Sequence, residues 1–384
     1  MSSFNHTQYL PHKNEAIVGA GGRWLGVYNE LDRYNVTAVG GRVVDVGVGG
    51  LILGCGLSYL SDLYGLTCDN VVNFEMVLAN GSVTNANANH NQDLFQAMKG
   101  GANNFGVVTR FTLKTYSINQ VWGGIKSYSL DQLPALLAAM QEYQSNPNKD
   151  LYANLMLQAF TTNATVGAVL NMVYLKPVVN ASAFAPFYSI PTTGDTTKIQ
   201  SLTQMMSGQR VPPLPRWDWF STSFRPTASL YQKIGDIVTK APELAAIQST
   251  AGGSLAIGVQ PINTNLIQAG NKHGGNSLGL PNVNQTWFVL DAGWINADGD
   301  AMIHNATRAL NGRIEDASRA EGVYEPYQFM NDASWDQDVI GRYGVKGQRN
   351  MRRVQRKYDP DMVFQNLVSG GWKLPKSIPG AYDY

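Results

Sequence analysis

The sequence contains few charged residues, and this shortage excludes some classes of protein. Charged residues make up 15% of the 384 residues, and the formal net charge is +1. A nucleic-acid-binding protein normally concentrates positive charge on one surface, so we expect no nucleic-acid partner. The densest basic stretch, residues 349–357, is interpreted as a solvated helix face. No apolar run reaches the roughly 20 residues that span a bilayer, so we also expect no membrane partner.

Cysteine and histidine are equally scarce. The chain has two cysteines, Cys55 and Cys68, and five histidines. Two cysteines define neither a disulfide framework nor a metal site. The histidines are scattered without the i, i+4 pair that often holds zinc, so no metal is expected.

Signals for the cellular compartment conflict. The first residues have neither the basic region nor the apolar core of a signal peptide. Seven Asn-x-Ser/Thr sequons nevertheless suggest a secretory history and glycosylation, although the high content of Asn, Ser and Thr would produce several by chance. The sequons begin at Asn5, Asn35, Asn80, Asn163, Asn180, Asn284 and Asn305.

Glycine is abundant, with 39 residues that cluster at 19–22, 47–56 and 100–106. Glycine permits close approach of the backbone, so clusters beside strand patterns favour a loop that holds a ligand. A nicotinamide site fits poorly, because the run that begins at Gly47 lacks the third glycine of G-x-G-x-x-G. The glycines could also serve only as tight turns in a β-rich domain.

Hydrophobic periodicity predicts alternating short strands and helices in the first 117 residues, and antiparallel strands with longer helices afterwards. The strands are predicted at residues 16–19, 71–78, 82–85, 106–115, 152–160, 166–174 and 287–294. The helices are predicted at residues 24–34, 93–99, 130–143, 230–244, 301–320 and 346–357, and residues 186–227 are interpreted as loops with one short helix. This pattern indicates an α+β fold.

Four blocks, at residues 46–58, 64–72, 94–109 and 358–374, carry a family resemblance. In this order they resemble the second half of the FAD-binding domain and the closing segment of the vanillyl-alcohol-oxidase/berberine-bridge-enzyme superfamily. The resemblance implies a PCMH-type FAD-binding domain, incomplete at its N-terminus, and an antiparallel-sheet-and-helix substrate domain. It places the partial FAD-binding domain at 1–117, the substrate domain at 118–335 and a returning C-terminal segment at 336–384.

The resemblance implies that FAD is the cofactor. Glycines would leave room for the ring system and the ribityl chain, a second loop would lie near the pyrophosphate and adenine, and Val108 would pair the adenine through its backbone. The implied cofactor-binding residues are Gly47, Gly49, Gly50, Gly54, Ser58, Asp69, Gly101, Asn104, Gly106, Val108 and Asn366. Val43 stands where bicovalent members have a cysteine, so no cysteinyl link is expected, and Cys55 is interpreted as a small buried residue.

The resemblance also implies hydride transfer from a small organic metabolite to flavin N5, with O2 as the usual oxidant, in specialised metabolism. Asn331 is the first choice for an orienting amide and Tyr343 the second, although both have structural interpretations as a turn cap and a core residue. Phe329 replaces the family tyrosine, and Asp332 is interpreted as a surface carboxylate. Aromatic residues at 217, 219, 220 and 224 could line a substrate pocket, or they could belong to the core or to a contact between the domains.

The resemblance implies that family members carry further residues before the matching part, including a loop that wraps the pyrophosphate. The alternative function is therefore an inactive, cofactor-free remnant or a binding protein. If that loop is absent, the glycines at 47–54 should line an open groove, and unpaired strand edges should lie near residues 16–19. Full-length family members are expected in the secretory pathway. We expect a monomer.

Overall fold

The computed structural model describes residues 2–162, 167–210 and 212–376, which form two antiparallel sheets. The first sheet has six strands in the order β1-β2-β6-β4-β5, and β3 pairs with β6. Its strands are β1 (Thr7–Leu10), β2 (Glu15–Gly19), β3 (Thr37–Ala38), β4 (Val71–Val77), β5 (Val83–Asn87) and β6 (Val107–Tyr116). The turn between β4 and β5 contains Gly81 at φ 81°, as the Asn-Gly pair predicts.

The second sheet has nine strands in the order β10-β7-β9-β8-β13-β14-β12-β15, and β11 pairs with β7. Its strands are β7 (Gln120–Tyr128), β8 (Ala153–Phe160), β9 (Gly167–Tyr174), β10 (Gly194–Asp195), β11 (Lys198–Ser201), β12 (Arg216–Phe224), β13 (Ser254–Ile262), β14 (Gln285–Trp294) and β15 (Tyr324–Glu325). The α+β expectation is confirmed. Two expectations, the start of the strand at Val166 and the sequon at Asn163, lie outside the described residues.

Thirteen α-helices connect and cover the sheets within the described residues. They are α1 (Trp24–Asp32), α2 (Val48–Leu53), α3 (Ser61–Tyr64), α4 (Gln92–Met98), α5 (Leu133–Ser145), α6 (Ala185–Tyr188), α7 (Leu202–Ser207), α8 (Ala228–Lys240), α9 (Glu243–Ser249), α10 (Thr264–Lys272), α11 (Asp300–Ala320), α12 (Val345–Tyr358) and α13 (Val363–Asn366). The predicted stripe of Trp24, Val27, Tyr28 and Leu31 is buried on α1. Among all the residues that the structure describes, no helix combines the length and the hydropathy of a membrane span.

Each sheet contributes to its own hydrophobic core. The first core joins α1, α2 and the first sheet to Met351 and Val354 of α12, so the C-terminal segment packs against the N-terminal elements. The second core lies between the nine-stranded sheet and helices α5, α8 and α11. Alternate residues of a strand face opposite sides, and most side chains of β12, β13 and β14 that point toward these helices are apolar. Polar ones among them, such as Asp218, Thr222 and Thr286, hydrogen-bond to side chains of the helices.

Several elements differ from the sequence expectations. A nine-residue strand, β12, occupies part of the predicted loop region at 186–227, where alternation of aromatic and small polar residues resembles a loop composition. Strand β13 and helix α10 were not expected, and the glycine-rich run contains the short helix α2. The helix predicted at 230–244 ends at Lys240, because Pro242 interrupts it before α9.

The expected unpaired strand edge near residues 16–19 is wrong. Strand β2 pairs with β1 on one side and with β6 on the other. The four-residue strand β1 lies at the edge of the path instead, and a short edge strand offers little surface for pairing with another chain.

Candidate active site

The glycine-rich helix α2 presents an open backbone surface. Gly47 precedes the helix, and Gly47 and Gly50 are exposed. A Cβ atom built on Gly50 would have no neighbour within 4 Å, whereas one built on Gly49 would lie 2.9 Å from the Ala20 carbonyl oxygen. The exposed side of the helix therefore leaves room for a flat group, and the expected groove along residues 47–54 stays a prediction.

Asn331 lies against this helix. Its Nδ2 donates to the carbonyl oxygens of Gly50 and Leu51, at 3.4 and 3.3 Å. A Cβ atom on Gly54 would approach Asn331 Oδ1 to 2.5 Å, so only glycine fits beside the amide. Asn331 Oδ1 is buried and has no hydrogen-bond partner within the chain. A buried acceptor without a donor is costly, and a bound ligand would relieve that cost.

Residues 329–332, which we call the bridging segment, connect helix α2 to the nine-stranded sheet. The Phe329 N–H donates to Ser221 Oγ on β12 at 3.1 Å. Asp332 Oδ2 accepts from Gln260 Nε2 on β13 at 2.7 Å. Because Asn331 contacts α2 at the same time, this segment holds the glycine helix and the sheet in a fixed relation.

The sheet side that faces the bridging segment, opposite the helices, is called here the open face. Asp291 lies on it in β14, directly opposite Trp219 of β12 and Ala256 of β13. Asp291 is 8% exposed, and its Oδ1 has no partner. Every residue of β14 is buried, so Asp291 is a carboxylate inside a strand that is otherwise almost wholly apolar. Such a residue is a site candidate because an unpaired buried carboxylate destabilises the fold.

Two carboxyl groups on this side have raised pKa values. Burial raises the pKa of Asp291 well above its usual range, and repulsion from Asp332 raises it further. Burial raises the pKa of Asp332 to about 6, although the Gln260 hydrogen bond and the buried Arg42 guanidinium oppose the shift. Arg42 in turn donates to Gln260 Oε1. The interpretation of Asp332 as a surface carboxylate is therefore wrong, and groups with such shifts can take up protons near neutral pH.

Tyr343, the second predicted catalytic residue, is 2% exposed and donates to the Gly100 carbonyl oxygen at 3.2 Å. Burial raises the pKa of its hydroxyl far above the usual value, so it remains protonated. Its ring stacks at 6.2 Å from that of Tyr327, whose buried hydroxyl has no partner. Tyr343 thus joins the loop after α4 to the segment that precedes Phe329.

The second glycine loop is closed by the chain itself. A Cβ atom would lie 2.2 Å from the Ala97 carbonyl oxygen at Gly101, and 2.4 Å from Met76 Cε at Gly106. Asn104 Nδ2 donates to the carbonyl oxygens of Gly101 and Trp372, while its buried Oδ1 has no partner. Val108 is buried in β6 opposite Met76. The predicted adenine-side role of this loop stays a prediction.

Of three other predicted cofactor residues, two hydrogen-bond within the chain and the third is exposed. Ser58 Oγ accepts from the N–H groups of Gly40 and Leu60, both at 3.3 Å. The Asp69 carboxylate accepts from the Leu66 N–H and from Asn276, so it caps a turn. Asn366 is exposed on α13. Their contacts to a cofactor also stay predictions.

The two cysteines form a disulfide, which corrects the expectation that they define none. Cys55 and Cys68 are both buried, and their Cα atoms lie 4.5 Å apart. Cys55 has φ 67°, a left-handed conformation that suits glycine, and the family pattern has glycine there. The bond connects the end of α2 to the turn before β4. Sequence spacing could not reveal it, because pairing depends on the fold. No cluster of metal-binding side chains occurs among the described residues.

Three residues of this site, Asp291, Arg42 and Gln260, were not predicted from the sequence. A signal for Asp291 was available, because residues 285–294 contain one carboxylate in a run of aromatic and aliphatic residues. Of the four aromatic residues considered, Phe220 and Phe224 belong to the helix-side core, whereas Trp217 and Trp219 remain partly exposed. Core packing is thus confirmed for Phe220 and Phe224, and a pocket role for Trp217 and Trp219 stays a prediction.

The residues around helix α2 and Asn331 fit a bound flavin. Gly50 offers an open, side-chain-free surface, and Asn331 Oδ1 and the Tyr327 hydroxyl are buried polar atoms without partners in the chain. A flat ring system with a polar edge needs such a slot and a few hydrogen-bonding groups. When FAD is bound, Asn331 and the backbone of α2 would hold it.

Comparison with known proteins supports the same assignment. Residues 1–87 match the family model described as an FAD binding domain. The chain is 38% identical over 381 residues to an FAD-dependent monooxygenase of Arthrobotrys oligospora, covering 97% of this chain and 72% of that protein. It is 32% identical over 357 residues to the bifunctional solanapyrone synthase of Alternaria solani, covering 93% of this chain and 68% of that protein.

Solved structures show the same fold at low identity. The 6-hydroxy-D-nicotine oxidase of Arthrobacter nicotinovorans superposes with a TM-score of 0.76 at 20% identity, over 95% of this chain and 80% of that one. The berberine bridge enzyme of Eschscholzia californica gives 0.76 at 14% identity, over 100% and 80%. The chain therefore belongs to the FAD-dependent oxidoreductases of the vanillyl-alcohol-oxidase/berberine-bridge-enzyme superfamily.

Proposed function

We propose that this chain is an oxidase that removes a hydride from a small organic metabolite, with Asp291 as the general base and O2 as the final electron acceptor. The observation that carries the proposal is the unpartnered, buried Asp291 carboxylate on the open face. The bridging segment connects this face to the exposed glycines of α2, which are the predicted flavin wall.

Asp291 has the properties of a proton acceptor. Its raised pKa makes the ionised carboxylate a stronger base than an ordinary aspartate, and no hydrogen-bond donor within the chain engages its buried Oδ1. Removal of the proton of a substrate hydroxyl favours loss of a hydride from the adjacent carbon. FAD, when bound, would supply the two-electron acceptor for that hydride.

The neighbouring groups position this chemistry. Gln260 hydrogen-bonds Asp332 and accepts from Arg42, so the second carboxyl is held in place beside the open face. The negative charge of Asp332 raises the pKa of Asp291 and so increases the proton affinity of that carboxylate. The ring of Phe329, in the bridging segment, stacks at 4.5 Å on that of Trp287 in β14, and both rings are buried.

The test uses the purified chain loaded with FAD. Visible flavin absorbance should survive dialysis, and an oxidisable alcohol should bleach it without air. Admission of O2 should restore the absorbance and release hydrogen peroxide in a one-to-one ratio with oxidised product. A colourless protein that does not take up added FAD would instead support the inactive remnant. Transfer of labelled oxygen from O2 into the product would show a monooxygenase, as the names of the relatives suggest, and would contradict the oxidase proposal.

We also propose that the chain passes through the secretory pathway and carries N-linked glycans. The sequon asparagines at 5, 35, 80, 180, 284 and 305 are all exposed, and a disulfide is present. Exposed acceptors and a disulfide are typical of an oxidising compartment. Expression in a eukaryotic host followed by endoglycosidase treatment tests this proposal. An unchanged mass after treatment would contradict it.

The division into domains is a further proposal. We place the FAD-binding domain at 1–117 and 336–384, and the substrate domain at 118–335. Two observations support this division: the first sheet ends at Tyr116, and α12 packs into the first core. Limited proteolysis should cut near residue 118 or 335 before it cuts within either core, and early cleavage inside β13 or β14 would contradict the boundaries.

A further inference from the structure

Helix α2 ends in a turn that normally requires glycine. The Gly56 N–H donates to the Leu51 carbonyl oxygen at 2.9 Å, and the Cys55 N–H donates to the Ile52 carbonyl oxygen at 3.0 Å. These two bonds form a Schellman motif, in which the residue after the C-cap is left-handed and is usually glycine. Cys55 occupies that position with φ 67°. A residue with a Cβ atom disfavours this conformation, so the turn needs a restraint that a glycine would not need.

The disulfide to Cys68 supplies that restraint. Cys68 belongs to the 3-10 turn Thr67–Asn70, in which all four residues are buried. The Thr67 N–H also donates to the Gly56 carbonyl oxygen at 2.8 Å, so this buried segment lies directly against the end of α2. The covalent bond therefore holds Cys55 in its left-handed conformation. Without the bond, the backbone at residue 55 can relax to a negative φ, and the two hydrogen bonds of the turn are then lost.

The same turn shapes the surface that is predicted to face the flavin. The Leu51 carbonyl oxygen, which is part of the turn, also accepts from Asn331 Nδ2 at 3.3 Å. Gly54, the C-cap of α2, lies so close to the Asn331 amide that only glycine fits there. On the other side, the Ala102 N–H donates to the Leu53 carbonyl oxygen at 3.3 Å and joins α2 to the second glycine loop. Relaxation of the turn would therefore move α2 relative to both Asn331 and that loop.

We propose that the Cys55–Cys68 disulfide is a redox-sensitive switch for FAD retention: the chain binds FAD tightly while the bond is intact and less tightly after an external dithiol has reduced it. In that reduction the S–S bond breaks and each sulfur becomes a thiol, while the dithiol gives up two electrons and two protons and closes into a disulfide. The inference rests on the predicted flavin wall at α2, and it does not depend on the oxidase chemistry. A glycine at position 55, as in the family pattern, would not provide this regulation.

The test measures the dissociation constant of FAD for three proteins, in oxidising buffer and after treatment with dithiothreitol. For the wild type, reduction should weaken FAD binding about tenfold, because the left-handed conformation then carries its full cost at residue 55. C55A/C68A should bind FAD with the weaker affinity in both buffers. C55G/C68A should keep the affinity of the oxidised wild type within about threefold in both buffers, since glycine accepts the left-handed conformation.

The glycine variant is the matched control, because it also reports any direct effect of the reductant on the flavin. Alkylation of the reduced native protein should label both cysteines. Three results would overturn the proposal: a bond that dithiothreitol leaves intact in the folded protein, equal FAD affinity of the oxidised and the reduced wild type, or an affinity of C55G/C68A as weak as that of C55A/C68A.

A second measurement needs neither variants nor FAD. In the FAD-free protein, the amide hydrogens of Cys55 and Gly56 should exchange about tenfold faster after reduction, because their acceptors are the two carbonyl groups of the turn. The amides of β14, in the second sheet, are the internal control and should keep their rates. Unchanged exchange at residues 55 and 56, or equal acceleration in β14, would overturn the proposal. No uptake of FAD in either redox state would contradict the proposed function, whereas equally tight uptake in both states would contradict the switch alone.

Discussion

The helix side and the open face of strands β12 to β14 are made from alternate residues of the same three segments, yet they differ in composition. Phe220, Phe288 and Leu290 are at most 2% exposed in the helix-side core. Asp291 and Trp219, which alternate with such residues, carry an unpartnered carboxylate and a partly exposed ring. Because strand side chains alternate, one segment can contribute to stability on one side and to chemistry on the other.

Because the two sides differ in composition, substitutions on the helix side should affect folding, and substitutions on the open face should affect function. The helix-side core is close-packed and mainly apolar, so a truncated apolar side chain there leaves a cavity. The open face contains groups that cost stability in the empty protein and that a ligand would satisfy. Loss of stability should therefore be largest for substitutions in the helix-side core and smallest for substitutions on the open face.

Phe288→Ala should produce the largest loss of stability. Phe288 is 0% exposed and lies 6.3 Å, ring to ring, from Phe224. Removal of a fully buried phenylalanine typically costs about 3–5 kcal/mol through lost burial and the cavity that remains. Denaturant unfolding measures the change. A loss below about 1 kcal/mol would show that this side is not the main source of stability.

The Cys55–Cys68 disulfide, at the end of helix α2, should make the next largest contribution to the free energy of unfolding. Cys55→Ala should destabilise the protein by about 3 kcal/mol, because the bond closes a short loop between residues 13 positions apart. Cys55→Gly should cost about 1 kcal/mol less than the alanine variant, because glycine accepts φ 67° without strain. Unfolding in oxidised and reduced buffers measures both effects. Equal stability of the two variants would contradict the assigned backbone conformation.

Asp332 should give stability a pH dependence. Its pKa is about 6 in the folded chain against 3.8 for an ordinary aspartate, so its contribution is complete below pH 3.8 and is lost as the pH rises through about 6. Asp332→Asn should abolish a decline of about 1–3 kcal/mol across that window, after allowance for partial exposure. Unfolding at several pH values measures it. A decline of the same size in the variant would exclude Asp332 as its source.

Trp219→Ala should change stability least. The side chain is partly exposed on the open face, so its removal should cost about 1 kcal/mol or less in the ligand-free protein. Thermal unfolding of the wild type and the variant provides the measurement. A loss as large as that of Phe288→Ala would remove the distinction between the two sides.

The sequence predicted the elements with strong periodicity or clear punctuation. Helix α1 followed from its stripe of apolar residues, and the β4–β5 hairpin followed from Asn80-Gly81. Strand β12 was missed because its small polar residues, such as Ser221 and Ser223, face a neighbouring segment and imitate a loop in composition. Tertiary contacts override local propensity in such segments.

The site was predictable in part. Asn331 and the glycines of α2 came from motif resemblance, and the structure brings Asn331, Gly50 and Gly54 together. The pairing of Asp291 with Trp219 depends on the register between two strands that are separated by about seventy residues. The raised pKa of Asp332 depends on burial. Neither property is encoded in local sequence, because both arise from the assembled sheet.

The most direct test of the central claim is the rate at which substrate reduces the flavin in Asp291→Asn, measured by stopped-flow absorbance without air. Asparagine retains the shape of the side chain and an acceptor oxygen, but it cannot take a proton. The reduction rate should fall by about 10²–10⁴-fold, with an FAD content close to that of the wild type. A rate within a few fold of the wild type, with the same FAD content, would contradict the role of the open face as the site of proton removal.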